Sequence, residues 1–72
     1  MSISVTFSVS VNGEGREVAS GTSLDAVVRS LVSAPSGVAA AVNETVVPRA
    51  QWAGTTLSEG DRVEILTAVQ GG

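Results

Sequence analysis

The sequence predicts an α+β fold in which a mixed sheet of four to five strands is covered by one main helix. Two observations support this. Apolar residues alternate with hydroxyl residues over positions 2–11, which is typical of a strand with one buried face. Apolar residues then recur at helical spacing over positions 24–32. Because each element has a single apolar face, packing the helix on the sheet buries both faces.

The first strand is expected to continue into a hairpin. The segment Asn12-Gly13-Glu14-Gly15 contains the residue types that tolerate the positive φ angles of tight turns. The returning strand is predicted over residues 16–19, with Val18 facing inward.

The helix has a recognisable start and end. Thr22 is predicted as the N-cap, with Asp25 three positions later at a site that favours an acidic side chain. A segment of small residues and one proline at 33–37 is expected to end the helix. The predicted buried stripe consists of Leu24, Val27, Val28, Leu31 and Val32.

The second half of the chain is expected to contribute mostly strands. The predicted elements are a strand at 38–42, an extended segment at 45–47, a helical turn at 49–53 and a final strand at 62–69. Pro48 indicates that the extended segment lies at a sheet edge or at the entry to a loop, and the helical turn is expected to seat Trp52. This order is typical of the β-grasp fold, in which the last strand lies parallel to the first at the centre of the sheet.

The composition excludes several kinds of chemistry. The 72 residues are expected to form a single domain, residues 1–72, and they contain neither Cys nor His. Disulfides, the usual zinc sites and Ser-His or Cys-His nucleophile pairs are therefore absent, and no catalytic or metal-binding residue and no bound cofactor is predicted. A net charge of −3 without a basic stripe argues against nucleic acid. Without an apolar span or signal peptide, we expect a cytoplasmic protein that does not enter membranes.

The sequence ends in Gly71-Gly72, directly after the last predicted strand. Two residues without side chains can pass through a narrow cleft that any Cβ atom would block. We therefore expect a flexible tail whose final carboxylate is itself the reacting group.

The second half of the chain contains a series of short motifs. They are Val42-Asn43-Glu44, Val46-Val47-Pro48-Arg49, Trp52, Leu57, Glu59-Gly60-Asp61, Val63-Glu64-Ile65 and Gln70-Gly71-Gly72. In this order and spacing they resemble the ThiS family, the sulfur carriers of thiamine biosynthesis. The similarity extends over roughly positions 38–72, and the first half agrees in its order of elements.

The resemblance implies a reaction cycle at Gly72, with Gly71 and Gln70 as the tail. An adenylyltransferase related to ubiquitin-activating enzymes would activate the Gly72 carboxylate with Mg-ATP. Sulfur from a cysteine desulfurase system would then displace AMP and leave a thiocarboxylate. Thiazole synthase would use that sulfur for the thiazole ring, so catalysis would belong to the partners.

A docking surface for the activating enzyme is predicted on the outer face of the last strand. Leu66 and Ala68 are apolar there, and Ser4 and Thr6 of the first strand are expected beside them. Arg49 is a further candidate for a partner contact.

Other functions remain open at this point. A carrier of the same mechanism could serve molybdopterin, cysteine or another sulfur metabolite, and a ubiquitin-like modifier would join its diglycine to a target lysine. A non-reacting β-grasp interaction module is a further alternative. The spacing from Pro48-Arg49 to Trp52 favours the thiamine carrier, and the absence of Lys mildly favours a carrier over a modifier.

Overall fold

The computed structural model describes residues 5–33 and 37–67. These residues form a five-stranded sheet, one α-helix and one 3₁₀ helix. In chain order the elements are β1 (Thr6–Val11), β2 (Glu14–Ala19), α1 (Leu24–Leu31), β3 (Val38–Val42), β4 (Thr45–Val47), the 3₁₀ helix (Arg49–Gly54) and β5 (Arg62–Thr67).

The strand order is β2-β1-β5-β3-β4. Strands β1 and β5 are neighbours and run parallel, whereas every other pair of neighbouring strands is antiparallel. The predicted β-grasp arrangement is therefore confirmed, with the last strand beside the first at the centre of the sheet. The short β4 forms one edge, as the following Pro48 indicates.

The core lies between α1, the 3₁₀ helix and one face of the sheet, which we call the inner face. Trp52 and Leu24 are fully buried at its centre. Among residues 5–33 and 37–67, the buried apolar residues are Val9, Val11, Leu24, Val27, Val28, Ala40, Trp52, Leu57, Val63 and Ile65. The aliphatic core expected from a chain without disulfides is thus present.

The first hairpin turns earlier than predicted. Asn12 and Gly13 alone form the turn, with φ angles of 51° and 85°, and β2 begins at Glu14 rather than at residue 16. Positive φ at both central residues is what a two-residue type I′ turn requires, so no further turn residue is needed. Val18 does pack against the core, while the predicted start of β1 at residues 2–4 lies outside the described residues.

The helix begins one residue later than predicted. Its N-cap is Ser23, whose hydroxyl accepts a hydrogen bond from the N–H of Ala26 at 3.1 Å. Thr22 instead belongs to the preceding backbone connection, since its carbonyl accepts from the N–H of Leu57 at 3.0 Å. Its own N–H donates to the Ala19 carbonyl at 3.0 Å, so both backbone groups of Thr22 belong to this connection.

The helix end also differs in part from the predicted stripe. Leu24, Val27 and Val28 are buried, but Leu31 is 39% exposed. Val32 is the extended C-cap rather than a helical residue, although it still packs against the core.

The second half folds as predicted where it is described. Strands β3 and β4 form a hairpin, and the 3₁₀ helix buries Trp52. The indole N–H of Trp52 donates to the Val47 carbonyl at 2.8 Å, which joins the helical turn to β4. Strand β5 is described to Thr67, so the predicted extension to residue 69 lies outside the described residues. No helix in the described residues is both long and apolar enough to cross a membrane.

Candidate functional site at the carboxyl end of the last strand

Strand β5 carries the chain toward the predicted reactive end, and its two faces differ. Val63 and Ile65 are buried on the inner face, whereas Arg62, Glu64 and Leu66 are exposed on the outer face. Leu66 is 69% exposed, as the sequence predicted for a docking residue. The alternation arises because successive side chains of a strand point to opposite faces.

An apolar surface surrounds Leu66 on the outer face. Leu66 pairs with Ala39 of β3, and Ala41 of the same strand pairs with Val46 of β4. Val46 is 70% exposed, and Ala39 is also exposed. We call Leu66, Ala39, Ala41 and Val46 the outer patch. Its β3 and β4 members were missed in the sequence, because only the strand order places them beside β5.

Of the two residues of the first strand that were expected beside Leu66, Thr6 was wrong and Ser4 is untested. Strands β1 and β5 are parallel, and Ser10 and Val11 pair with Arg62 and Val63. Thr6 therefore lies toward the opposite end of β5 from Leu66, and Ser4 lies outside the described residues. The outer patch extends toward β3 and β4 because β1 turns away before it reaches the level of Leu66.

Arg49 lies at the same end of the sheet as the carboxyl end of β5. Strands β4 and β5 run in the same direction, because both are antiparallel to β3. Val47 and Ile65 are level, since both pair with Ala40. Arg49 follows Val47 by two residues and is exposed. The structure thus brings two predicted docking residues, Arg49 and Leu66, to one end of the sheet.

The other predicted site residues lie outside the described residues. These are Ala68, Gln70, Gly71 and Gly72. Their roles remain predictions from the sequence.

Asn12 makes a contact with β5 that the sequence analysis missed. Its side-chain Oδ1 accepts from the N–H of Ile65 at 2.8 Å, and its Nδ2 donates to the carbonyl of Ile65 at 3.3 Å. Its backbone N–H also donates to the Val63 carbonyl at 2.9 Å. The sequence indicated Asn12 only as a turn residue, and nothing in a single sequence reveals a bond across 53 positions.

Asn43 makes a related contact at the start of β5. It is the first residue of the β3–β4 turn and has a φ of 51°, as Asn12 has in its own turn. Its Oδ1 accepts from the N–H of Arg62 at 2.9 Å, and its Nδ2 donates to a carboxylate oxygen of Asp61 at 3.0 Å. Two turn asparagines thus bind β5. Asn43 binds its first residue, Arg62, and Asn12 binds Ile65 closer to its end.

A shallow depression of about 210 Å³ lies on the sheet beside these contacts. Arg62 and Glu44 approach to 3.7 Å across it, but both side chains are largely exposed, so this ion pair adds little stability. The lining residues are Ser10, Gly13, Glu44, Arg62, Val63 and Glu64. In the part of the chain that the structure describes, no three acidic side chains are grouped as a metal site would require.

Comparison with known proteins agrees with the motifs and the fold. The family model described as "ThiS family" matches residues 9–72, which is most of the chain. The "Sulfur carrier protein ThiS" of Escherichia coli K12 is 30% identical over 61 residues, which cover 85% of this chain and 92% of that protein.

A solved structure and a longer relative are also similar. The crystal structure of the thiamine biosynthesis protein (ThiS) from Geobacter metallireducens superposes with a TM-score of 0.77 at 29% identity, covering 92% of this chain and all of that one. A "Thiazole synthase" from Magnetococcus marinus is 33% identical over 64 residues, and the match covers 89% of this chain but only 20% of that protein.

Proposed function

The chain belongs to the ThiS family, and we propose that it carries sulfur for the thiazole ring of thiamine as a thiocarboxylate on Gly72. The observation with most weight is that the family match extends to Gly72 itself. The fold supports the proposal, since the β-grasp sheet places β5, the strand preceding the diglycine, at its centre.

The chemistry needs only the terminal carboxylate from this chain. A carboxylate is a poor electrophile, so an adenylyltransferase first joins it to AMP from Mg-ATP with release of pyrophosphate. A persulfide then attacks the acyl carbon, AMP leaves, and a thiol cleaves the S–S bond to give the thiocarboxylate and a disulfide. The sulfur comes from a cysteine desulfurase system, and the catalytic groups are supplied by the partners.

Thiazole synthase is the proposed acceptor of the sulfur. In Magnetococcus marinus, a segment similar to this chain is part of a protein named thiazole synthase. A carrier segment and a synthase in one polypeptide would keep the donor at a high effective concentration near the acceptor. The simplest role for this protein is to donate sulfur to a thiazole synthase that is a separate chain.

The outer patch is the proposed docking surface for the adenylyltransferase. Leu66 and Val46 expose 69% and 70% of their surface, which places apolar area on an otherwise polar face. Leu66 is the penultimate residue of β5, so an enzyme that binds the patch would lie next to the point from which the chain continues to Gly72. Arg49, which is exposed at the same end of the sheet, is a proposed polar contact with the same enzyme.

Thiol alkylation tests the proposal directly. The chain is incubated with an adenylyltransferase, Mg-ATP and a persulfide source, then alkylated and cleaved after arginine. Because the sequence has no Cys, a thiocarboxylate should place the label only on the peptide of residues 63–72. A reaction without ATP and a chain lacking Gly72 serve as controls. Labelling on another peptide, or the absence of label, would contradict the proposal.

A further inference from the structure

Strand β5 continues in the sheet after its backbone pairing with β1 has ended. The last paired residues are Val11 and Val63, and the chain then turns at Asn12 and Gly13. In a parallel ladder, the next rung would need the carbonyl of residue 12 and the N–H of residue 14. Residue 14 has already entered β2, so the backbone cannot supply this rung.

The Asn12 side chain supplies both missing partners. Its Oδ1 takes the place of the carbonyl and its Nδ2 the place of the N–H, and both bind the backbone of Ile65. Ile65 is only 8% exposed and both bonds are partly buried, so water would replace a lost partner of its N–H or carbonyl only in part. The amide thus completes the sheet at a partly buried position.

We propose that Asn12 is a positioning residue for the carrier reaction: its amide holds β5 two residues beyond the last β1–β5 backbone pair and fixes the base from which the chain continues to Gly72. This inference rests on the proposed function. A fixed base reduces the conformations that the terminal residues must lose when they enter a partner's active site. The expected effect is therefore on binding and not on the chemical step.

The chain offers variants that separate this role from turn formation. Asn12→Gly keeps a residue suited to a φ of 51° but removes both side-chain bonds, whereas Asn12→Asp keeps the acceptor for the Ile65 N–H. Asn43→Gly is the matched control, because Asn43 has the same φ and binds Arg62 at the start of β5.

Hydrogen exchange on the free carrier tests the contact without any partner. Relative to core amides of β1, the protection factor of the Ile65 amide should fall about tenfold in Asn12→Gly, because this partly buried N–H loses its acceptor. Asn12→Asp should retain most of it, and Asn43→Gly should affect Arg62 instead. Unchanged protection of Ile65 in Asn12→Gly would refute the contact's role.

Steady-state adenylation tests the positioning role. Asn12→Gly should raise KM for the carrier about fivefold with kcat unchanged, Asn12→Asp should restore part of the loss, and Asn43→Gly should match the wild type. An unchanged KM, or an equal rise in Asn43→Gly, would overturn the positioning role. If the wild-type chain is not adenylated at all, the proposed function fails and the positioning role fails with it, while hydrogen exchange still decides the contact.

Discussion

At the scale of single residues, Glu44 has the most strained backbone angle among the non-glycine residues that the structure describes. It is the second residue of the β3–β4 turn and has a φ of 70°, where a side chain with a Cβ atom is strained. Its ion pair with Arg62 is long and exposed, so it contributes little in return. A glycine is the residue type that this turn position favours.

Glu44→Gly is therefore expected to stabilise the protein by about 0.5–1 kcal/mol. Urea denaturation followed by circular dichroism measures the change. Glu44→Ala is the control, because it removes the same carboxylate but keeps a Cβ, and it should stay within about 0.5 kcal/mol of wild type. Equal stabilisation by both variants would show that the carboxylate, and not the backbone angle, is the source of the effect.

Trp52 combines the largest buried side chain with a specific hydrogen bond. Trp52→Phe removes the N–H that binds the Val47 carbonyl and leaves space in the core. We expect a loss of about 2–4 kcal/mol in the free energy of unfolding. Unfolding is followed by circular dichroism, because Trp52 is the only tryptophan and the variant therefore has no tryptophan fluorescence. A loss below about 1 kcal/mol would mean that the site repacks around the smaller ring.

At the scale of elements, the start of α1 offers a direct comparison of two adjacent hydroxyl residues. Ser23→Ala removes the acceptor for the Ala26 N–H and should cost about 1 kcal/mol. Thr22→Ala should cost less than about 0.5 kcal/mol, because the bonds of Thr22 to Leu57 and Ala19 come from its backbone. Thermal or urea unfolding of both variants measures the difference, and the reverse order would restore Thr22 as the cap.

The elements themselves could be predicted from the sequence because their signals are local. Alternation, helical spacing and the Pro48-to-Trp52 segment each depend on neighbouring residues, and they predicted β1, α1, β3, β4 and the 3₁₀ helix. Boundaries were less accurate at the first turn, where four consecutive residues suit a turn but two are sufficient. They were also less accurate at Thr22, where the adjacent Ser23 suits the same role and a long-range backbone bond to Leu57 holds Thr22 in the preceding connection.

The candidate site was only partly predictable, since it depends on contacts between distant parts of the chain. Leu66 was identified from the alternation of β5, but its expected neighbour Thr6 was wrong. The sequence predicted that β1 and β5 are parallel, but it did not predict which residues of the two strands pair. Val46 and the amide contact of Asn12 likewise require the register before they can be recognised.

At the scale of the whole molecule, the outer patch and the diglycine are proposed to work together. Leu66→Asp places a charge in the exposed patch without disturbing the core and should reduce kcat/KM for adenylation about tenfold or more. Val5→Asp is the matched control, because Val5 is 54% exposed near the start of β1 and the added charge is the same. Equal kinetics for the two variants would exclude the outer patch as the docking surface.

Transfer of isotope-labelled sulfur tests the central claim most directly. The carrier is loaded with a heavy sulfur isotope at Gly72 and mixed with thiazole synthase and its other substrates, and the mass of the thiazole product is measured. The account predicts that the heavy isotope appears in the thiazole as it disappears from the peptide of residues 63–72. A thiazole that contains only unlabelled sulfur, while the label remains on the carrier, would contradict it.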